Sequence, residues 1–428
     1  MIVKNKRYPE IAVELDGHEY FFKDGKCEIP NAVALKLTQM GGDYEIDLKS
    51  VPLKLYPDFN PNTWTKDYKK IIWDGPVGYN NGYGKASMMF MEGLETLADV
   101  KIINSKWIGS NGAFVSDNLE KIIKKEVGEI DSYYIRFFPA SVVDNRVAER
   151  QIIYTMLECS RIPKSWVDIC NNLSERIIVP CTHQKQAFID SGVKRDIEVV
   201  PLGIVSEMFP YIEREIDDFY FFGTMGTLTY RKGTDILVKA FMEGLPKDKY
   251  PDARLYIKTL PLGGIGSAWF IDQKKMNDDG RIILNVESLS PDQLIKEFFA
   301  KIDCFVFPTR GEGFGLPPLE AIATGLPTIC TSYSGTGDFM NDKTGYPLDY
   351  KLVDVPNGTL GGYPPELSAP GQQWAEPDYD QLVEHMRYCY SHREEAKKKA
   401  KRSSGIIKRE YDIKECSQKL INYLDRKF

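Results

Sequence analysis

Two carboxylates enclosing a glycine-containing segment are the most chemically informative feature of this chain. They are Glu312 and Glu320, and between them run Gly313-Phe314-Gly315-Leu316-Pro317-Pro318-Leu319. The segment follows an apolar run, Ile302 to Phe307, that reads as a strand. It precedes a helix for which Pro318 suits the first turn and Gly325 the stop. A loop so placed lies at the carboxyl end of a parallel strand, where open α/β sheets bind ligands. Gly313 and Gly315 allow backbone N–H groups to come close to a ligand, and a helix N-terminus favours phosphate. Glu320, read as part of the first helical turn, can accept hydrogen bonds from a diol. Taken singly, Glu312 reads as a solvated loop acid and Glu320 as a helix-dipole residue. The pair at this spacing is far more specific.

Other segments carry weaker signals. Gly75-Pro76-Val77-Gly78-Tyr79-Asn80-Asn81-Gly82-Tyr83-Gly84-Lys85 joins a strand to a helix. It nearly matches a phosphate-cradling Walker loop, but five residues separate Gly78 from Gly84 and Ala86 replaces the required Ser/Thr. A plain glycine-rich turn is the alternative reading. Asp378-Tyr379-Asp380 has the spacing of a metal-binding Asp pair, but it is read as following a non-strand segment, Trp374 to Pro377, and opening a helix. Helix capping is the better account, and no metal ligand is assigned. Neither a GxSxG elbow nor an HExxH pair occurs, so hydrolase readings lack support.

These segments need a scaffold, and the apolar periodicity supplies one. Lys70 to Trp73 reads as a strand, Ala86 to Leu97 as a helix and Val100 to Ile103 as a strand, which is a βαβ unit implying a parallel sheet. Strands at Tyr133 to Phe138, Arg176 to Val179 and Ile197 to Val200 continue it. A second series follows the charged stretch 213–218. It has strands at Phe219 to Gly223, Ala253 to Ile257, Arg281 to Leu284, Ile302 to Phe307 and Pro327 to Thr331, with a helix from Asp235 to Met242. A basic helix from Arg393 to about Lys408, read as a solvated face, and a last segment, Asp412 to Asp425, close the chain. Ahead of this, Glu19 to Phe22 and Lys26 to Ile29 flank Lys23-Asp24-Gly25 as a hairpin signal, and Ala32 to Leu37 reads as a short helix. The expected division is an α+β extension at 1–64, a Rossmann-like domain at 65–210, a second at 211–405, and a C-terminal helix at 406–428 returning to the first domain.

Composition excludes several classes. Hydrophobic residues make up 43% and charged residues 27% of 428, ordinary for a folded soluble chain. Lys and Arg number 55 against 61 Asp and Glu, a net charge of −6, which argues against a sequence-blind nucleic-acid coat. No run is long and apolar enough to span a membrane, and the basic start, Met1 to Arg7, has no apolar core behind it. The eight cysteines include no CxxC, so they read as reduced core thiols in a cytoplasmic protein.

On the Glu312–Glu320 motif, the chain from about residue 70 to 428 resembles the retaining nucleotide-sugar glycosyltransferases of the GT-B fold, family-four type (glycosyl transferases group 1). Tyr154 to Trp166, Ile177 to Thr182 and Val199 to Ile204 are similar to segments of that family. Arg231-Lys232-Gly233 before a helix resembles its diphosphate-binding Lys-Gly. An Arg that many members carry about five residues earlier is Thr227 here, and Arg231 stands as its substitute.

The resemblance implies two Rossmann-like domains facing a cleft, and a hexosyltransferase that needs no cofactor and no metal. Catalysis would fall to Glu312, Lys232 and Arg231, the two cations neutralising the leaving diphosphate of a UDP- or GDP-hexose. Glu320 would hold the ribose hydroxyls. Gly313, Phe314, Gly315 and Leu316, with Gly82, Tyr83 and Gly84 of the amino-terminal loop, would line the rest of the donor site. Glu158 and His183 are acceptor-side candidates. Retention in the family proceeds on one face of the sugar, the leaving phosphate taking the acceptor proton, so no dedicated protein base is named. The acceptor stays open among a glycan, a lipid, a protein and a small molecule, and residues 1–64, which resemble small modules seen beside phage-encoded enzymes, add the hydroxymethylated DNA of a phage. A nucleotide-sugar epimerase of the same fold and a non-catalytic nucleotide-sugar binder are the rival readings. Only four His serve the first, and the presence of both Glu312 and Glu320 argues against the second.

Overall fold

The computed structural model describes residues 69–78, 81–104, 132–259, 273–356 and 371–426, with five strands nearer the start, Ile2–Asn5, Ile11–Leu15, His18–Phe22, Lys26–Glu28 and Tyr44–Asp47. Two six-stranded sheets dominate it. The first has the order Asp196–Val199, Arg176–Val179, Gln151–Tyr154, Tyr133–Phe137, Lys69–Gly75, Ala98–Asn104, and every neighbouring pair is parallel. The second runs Ile282–Asn285, Ala253–Lys258, Tyr220–Met225, Cys304–Phe307, Thr328–Thr331, Tyr346–Leu348, again all parallel. Parallel sheets are covered on both faces, so their central strands are short continuous apolar runs. Gln151–Tyr154, Arg176–Val179, Cys304–Phe307 and Thr328–Thr331 are buried at every position.

One buried apolar cluster joins both sheets, running from Trp73, Phe90 and Phe137 to Phe305, Phe307 and Leu319. Trp73 is fully buried against Phe90 and Phe137, with ring centroids at 5.1 and 5.0 Å, in the first sheet. Phe222, Leu237, Phe241, Val306 and Ile329 fill one side of the second. The final helix, Ile413–Leu424, packs on Gly82–Leu94 of the first sheet's layer, where a Cβ at Gly93 would lie 2.8 Å from the Ile413 carbonyl. Tyr133 Oη donates to the Leu424 carbonyl at 2.6 Å and Arg176 Nη1 to that of Tyr423 at 3.2 Å. Every cysteine whose side chain is described is a buried free thiol.

Several sequence expectations need correction. The strands either side of Lys23-Asp24-Gly25 exist but do not pair with each other. His18–Phe22 pairs antiparallel with Ile11–Leu15, Leu15 opposite His18, while Lys26–Glu28 pairs with Ile2–Asn5. The two residues between Leu15 and His18 are Asp16-Gly17, a stronger two-residue hairpin signal than Lys23-Asp24-Gly25. The helix expected at Ala32 to Leu37 lies outside the described residues.

The helix expected from Ala86 begins at Gly82 and ends at Leu94. Asn81 caps it, its side chain accepting from the Gly84 N–H at 2.7 Å, so Gly82, Tyr83, Gly84 and Lys85 belong to the first helical turn. Gln373–Pro377, expected to be irregular, is a strand paired antiparallel with Tyr350–Asp354. Asp378 does cap the next helix, accepting from the Gln381 N–H at 2.9 Å. Glu320 lies beyond the first turn of its helix, which begins at Leu316 with Gly315 as cap.

Candidate functional site

In the second sheet the strand order reverses direction between Tyr220–Met225 and Cys304–Phe307, which are neighbours although far apart in sequence. Crevices outside the carboxyl ends of strands at such a reversal are the usual ligand sites of α/β sheets. The turn after the first of these strands carries Arg231 and Lys232, and the loop after the second carries Thr309 to Gly315. The Arg310 N–H donates to the Arg231 carbonyl at 2.7 Å, joining the two. Gly233, with φ of 68°, closes the turn so tightly that a Cβ there would lie 1.8 Å from the Pro308 carbonyl oxygen. Only glycine fits both that dihedral and that contact.

Glu312 is the hub of the site, and it is 5% exposed. Its carboxylate accepts from Arg231 Nη1 at 2.9 Å, Lys232 Nζ at 2.8 Å and Thr309 Oγ1 at 3.0 Å. Burial alone would raise its carboxyl, but Lys232 and Arg231 hold it below the usual carboxylate range. Burial, joined by Arg231, pushes the Lys232 ammonium down, while Glu312 opposes that shift. Beneath the loop, Arg310 is 1% exposed. It bonds Asp235 through both Nη atoms at 2.9 and 2.8 Å, and Glu376 at 2.7 and 3.0 Å. Its guanidinium also lies 3.7 Å from the Tyr230 ring centroid. This buried fork fixes the loop to the turn and to the Gln373–Pro377 strand.

Residues of the first sheet face this loop. Glu158 Oε1 is 3.8 Å from Arg231 Nη2, so a carboxylate from the opposite side meets the same guanidinium. A Cβ on Gly311 would lie 2.2 Å from the Glu158 carbonyl oxygen, and one on Gly313 would lie 3.0 Å from Met156 Cβ. Gln184 Nε2 donates to the Leu157 carbonyl at 2.8 Å and to that of Gly313. Thr182 bonds Asp338 through its N–H at 2.9 Å and its hydroxyl at 2.5 Å. Lys85 Nζ reaches Glu320 Oε1 at 2.5 Å. Burial raises the Glu320 carboxyl, and Lys85 pulls the other way.

Other sequence candidates sit apart from the charged hub. Tyr83 is turned inward; its hydroxyl accepts from the Met156 N–H at 3.1 Å and its ring packs on Phe137 at 4.9 Å. Gly82 is exposed, with open space where a Cβ would project. Gly84 packs on the loop, where a Cβ would meet the Gly78 carbonyl oxygen at 2.4 Å. Phe314 is buried against Phe339 and Tyr411, and Leu316 is buried too. Gly315 adopts φ of 101°. His183 faces the Cys159 carbonyl at 3.4 Å and the Tyr333 ring at 4.7 Å, and burial lowers its imidazole. Sequence reasoning missed Thr309, Arg310, Gln184 and the partnership of Lys85. A charged Arg310 three residues beyond a wholly apolar strand was the signal available for one of them.

No group of three or more potential metal-ligating side chains occurs among the described residues, and no described helix is long and apolar enough to cross a membrane. Residues 217–354 match the family described as Glycosyl transferases group 1. The lipopolysaccharide core biosynthesis mannosyltransferase LpsB of Rhizobium meliloti (strain 1021) is 29% identical over 128 residues, covering 29% of this chain and 36% of LpsB. An uncharacterized glycosyltransferase of Sulfolobus islandicus rod-shaped virus 1 is 26% identical over 131 residues, covering 29% of this chain and 36% of the relative. The chain thus spans about a third of the length of these curated relatives. HepE from Anabaena, solved with UDP and glucose, superposes with a TM-score of 0.59 at 12% identity, over 83% of this chain and 99% of HepE. The two facing parallel sheets are the GT-B architecture.

Proposed function

We propose that this GT-B chain, whose residues 217–354 carry a group 1 glycosyl transferase domain, moves a hexosyl unit from a nucleotide-sugar donor to a hydroxyl acceptor with retention of configuration. The observation that carries the reading is the convergence of Arg231 and Lys232 on Glu312 at the reversal point of the second sheet. Two adjacent cations in a largely buried setting suit a diphosphate, whose charge grows as it leaves. In the reaction the bond from the anomeric carbon to the β-phosphate oxygen breaks, and the acceptor oxygen bonds that carbon on the same face. The acceptor proton passes to the departing phosphate oxygen. Arg231 and Lys232 neutralise the diphosphate, and Glu312 holds both cations in place beside the sugar. Glu320 takes the ribose hydroxyls. Charge neutralisation by two side chains makes a metal unnecessary in this scheme.

In this reading residues 65–210 present the acceptor, with Glu158 and His183 on that side, and 211–405 bind the donor. UDP- and GDP-hexoses are the donors to assay first; HepE, of the same fold, was solved with UDP and glucose, and LpsB is a mannosyltransferase. The relative from a Sulfolobus virus supports a virus-encoded enzyme, for which hydroxymethylated DNA joins glycans and lipids as an acceptor to test. The deciding experiment incubates the full chain with UDP-, GDP- and ADP-sugars and follows nucleoside diphosphate release and the anomeric configuration of any product. Release with an α-linked product from an α-linked donor supports the reading. An inverted product removes the same-face mechanism, and no release with any donor and acceptor removes the activity.

A further inference from the structure

Lys85 and Glu320 approach the cleft from opposite sides. Lys85 lies in the first turn of Gly82–Leu94, in the layer of the first sheet, and Glu320 lies on Leu316–Ala323, in that of the second. Their charged atoms meet at 2.5 Å, with Lys85 Nζ also 5.4 Å from the Phe209 ring centroid. Glu320 is 0% exposed, and its Oε2 accepts no hydrogen bond from any described residue. A fully buried carboxylate oxygen without a donor is costly and calls for one. The ribose diol of the donor would supply it, on the reading above. Yet as the structure stands, Lys85 occupies one oxygen and packing closes off the other, so a nucleotide reaches Glu320 only once this pair has parted. A largely buried ammonium deprived of its carboxylate is strongly unfavourable unless another anion takes it up. The same donor carries that anion, its diphosphate.

We propose that Lys85 is an exchanged cation. It neutralises Glu320 in the unliganded protein and passes to the diphosphate when the ribose takes Glu320, becoming a phosphate ligand beside Arg231 and Lys232. This rests on the nucleotide-sugar reading. It assigns Lys85 opposite effects on two halves of one ligand, opposing the nucleoside and favouring the phosphates.

Calorimetric titration of the full chain separates the two. UDP with uridine, GDP with guanosine and ADP with adenosine are titrated, and the pair with the tightest diphosphate is carried into Lys85→Met, Lys85→Arg and Lys232→Ala. Lys85→Met should bind the diphosphate at least about tenfold more weakly while binding the nucleoside as tightly as the native chain or tighter. Lys85→Arg should keep most of the diphosphate affinity. Each ratio of diphosphate to nucleoside affinity comes from one preparation, so a partly misfolded fraction cancels. An unchanged ratio in Lys85→Met, with the ratio lowered in Lys232→Ala, overturns the role of Lys85 and leaves the donor reading standing. A native chain that gains nothing from the diphosphate, or a ratio untouched in Lys232→Ala as well, overturns the donor reading itself.

Discussion

The ammonium of Lys232 and the carboxylate of Glu312 meet at 2.8 Å across 80 residues of sequence, with Arg231 on the same carboxylate. The contact makes one charged unit of two loops that leave neighbouring strands of the second sheet. It also sets what each partner does when the other is removed.

On the proposed donor site, Lys232→Ala takes away a charge-assisted contact to the leaving diphosphate, worth about 1.5–3 kcal/mol, or roughly tenfold to a hundredfold in rate. Steady-state transfer rates should fall by that factor in a variant whose circular dichroism matches the native chain. Full turnover by a folded variant would remove Lys232 from the phosphate site.

With Glu320 on the ribose as proposed, Glu320→Gln alters a contact equally distant from reaction in ground and transition states, so its effect is mainly on binding. The donor KM should rise about tenfold while kcat changes little. The native enzyme should discriminate against a 2′-deoxy donor and the variant much less. Equal discrimination by both proteins would place Glu320 away from the ribose.

The proposed charge neutralisation by Arg231 and Lys232 predicts that transfer survives excess EDTA. A complete loss restored by Mn²⁺ would overturn that scheme and return attention to Asp378 and Asp380.

Gly311→Ala introduces a methyl group where the Glu158 carbonyl oxygen lies 2.2 Å away. The two halves of the cleft must then separate locally, and misplacement of about 1 Å costs up to roughly a hundredfold in rate. We expect kcat/KM to fall tenfold or more with the far-ultraviolet circular dichroism spectrum unchanged. Native kinetics in this variant would show that the halves need not meet at Gly311 during turnover.

The Glu312 carboxyl lies below its ordinary range, so its ionised form stabilises the fold. That contribution is complete above the unfolded value near about 4.5 and is lost as pH falls through the lower folded value. Glu312→Gln should therefore lower Tm at pH 7, and the gap from the native chain should persist to about pH 4.5 and close only below it. A gap that closes between pH 6 and 5 would contradict the ion-paired state of Glu312.

The alternation of apolar strands and amphipathic helices was legible in the sequence because the central strands of a parallel sheet are short buried runs that need no knowledge of their neighbours. So were the loop between Glu312 and Glu320, its place after a strand, and the capping role of Asp378, all of which depend on nearby residues. Gln373–Pro377 was not legible as a strand, because it becomes one only by pairing with Tyr350–Asp354. Tyr83 read as a cleft residue, yet the first turn of its helix aims its hydroxyl at the Met156 N–H. Above all, the chain order does not reveal which charges neutralise one another. Glu312 with Arg231 and Lys232, Glu158 with the same Arg231, Arg310 between Asp235 and Glu376, and Lys85 with Glu320 are partnerships between segments remote in sequence. Local periodicity specifies the elements, but a buried charge is settled only by whatever opposite charge the packed sheets bring within hydrogen-bond reach.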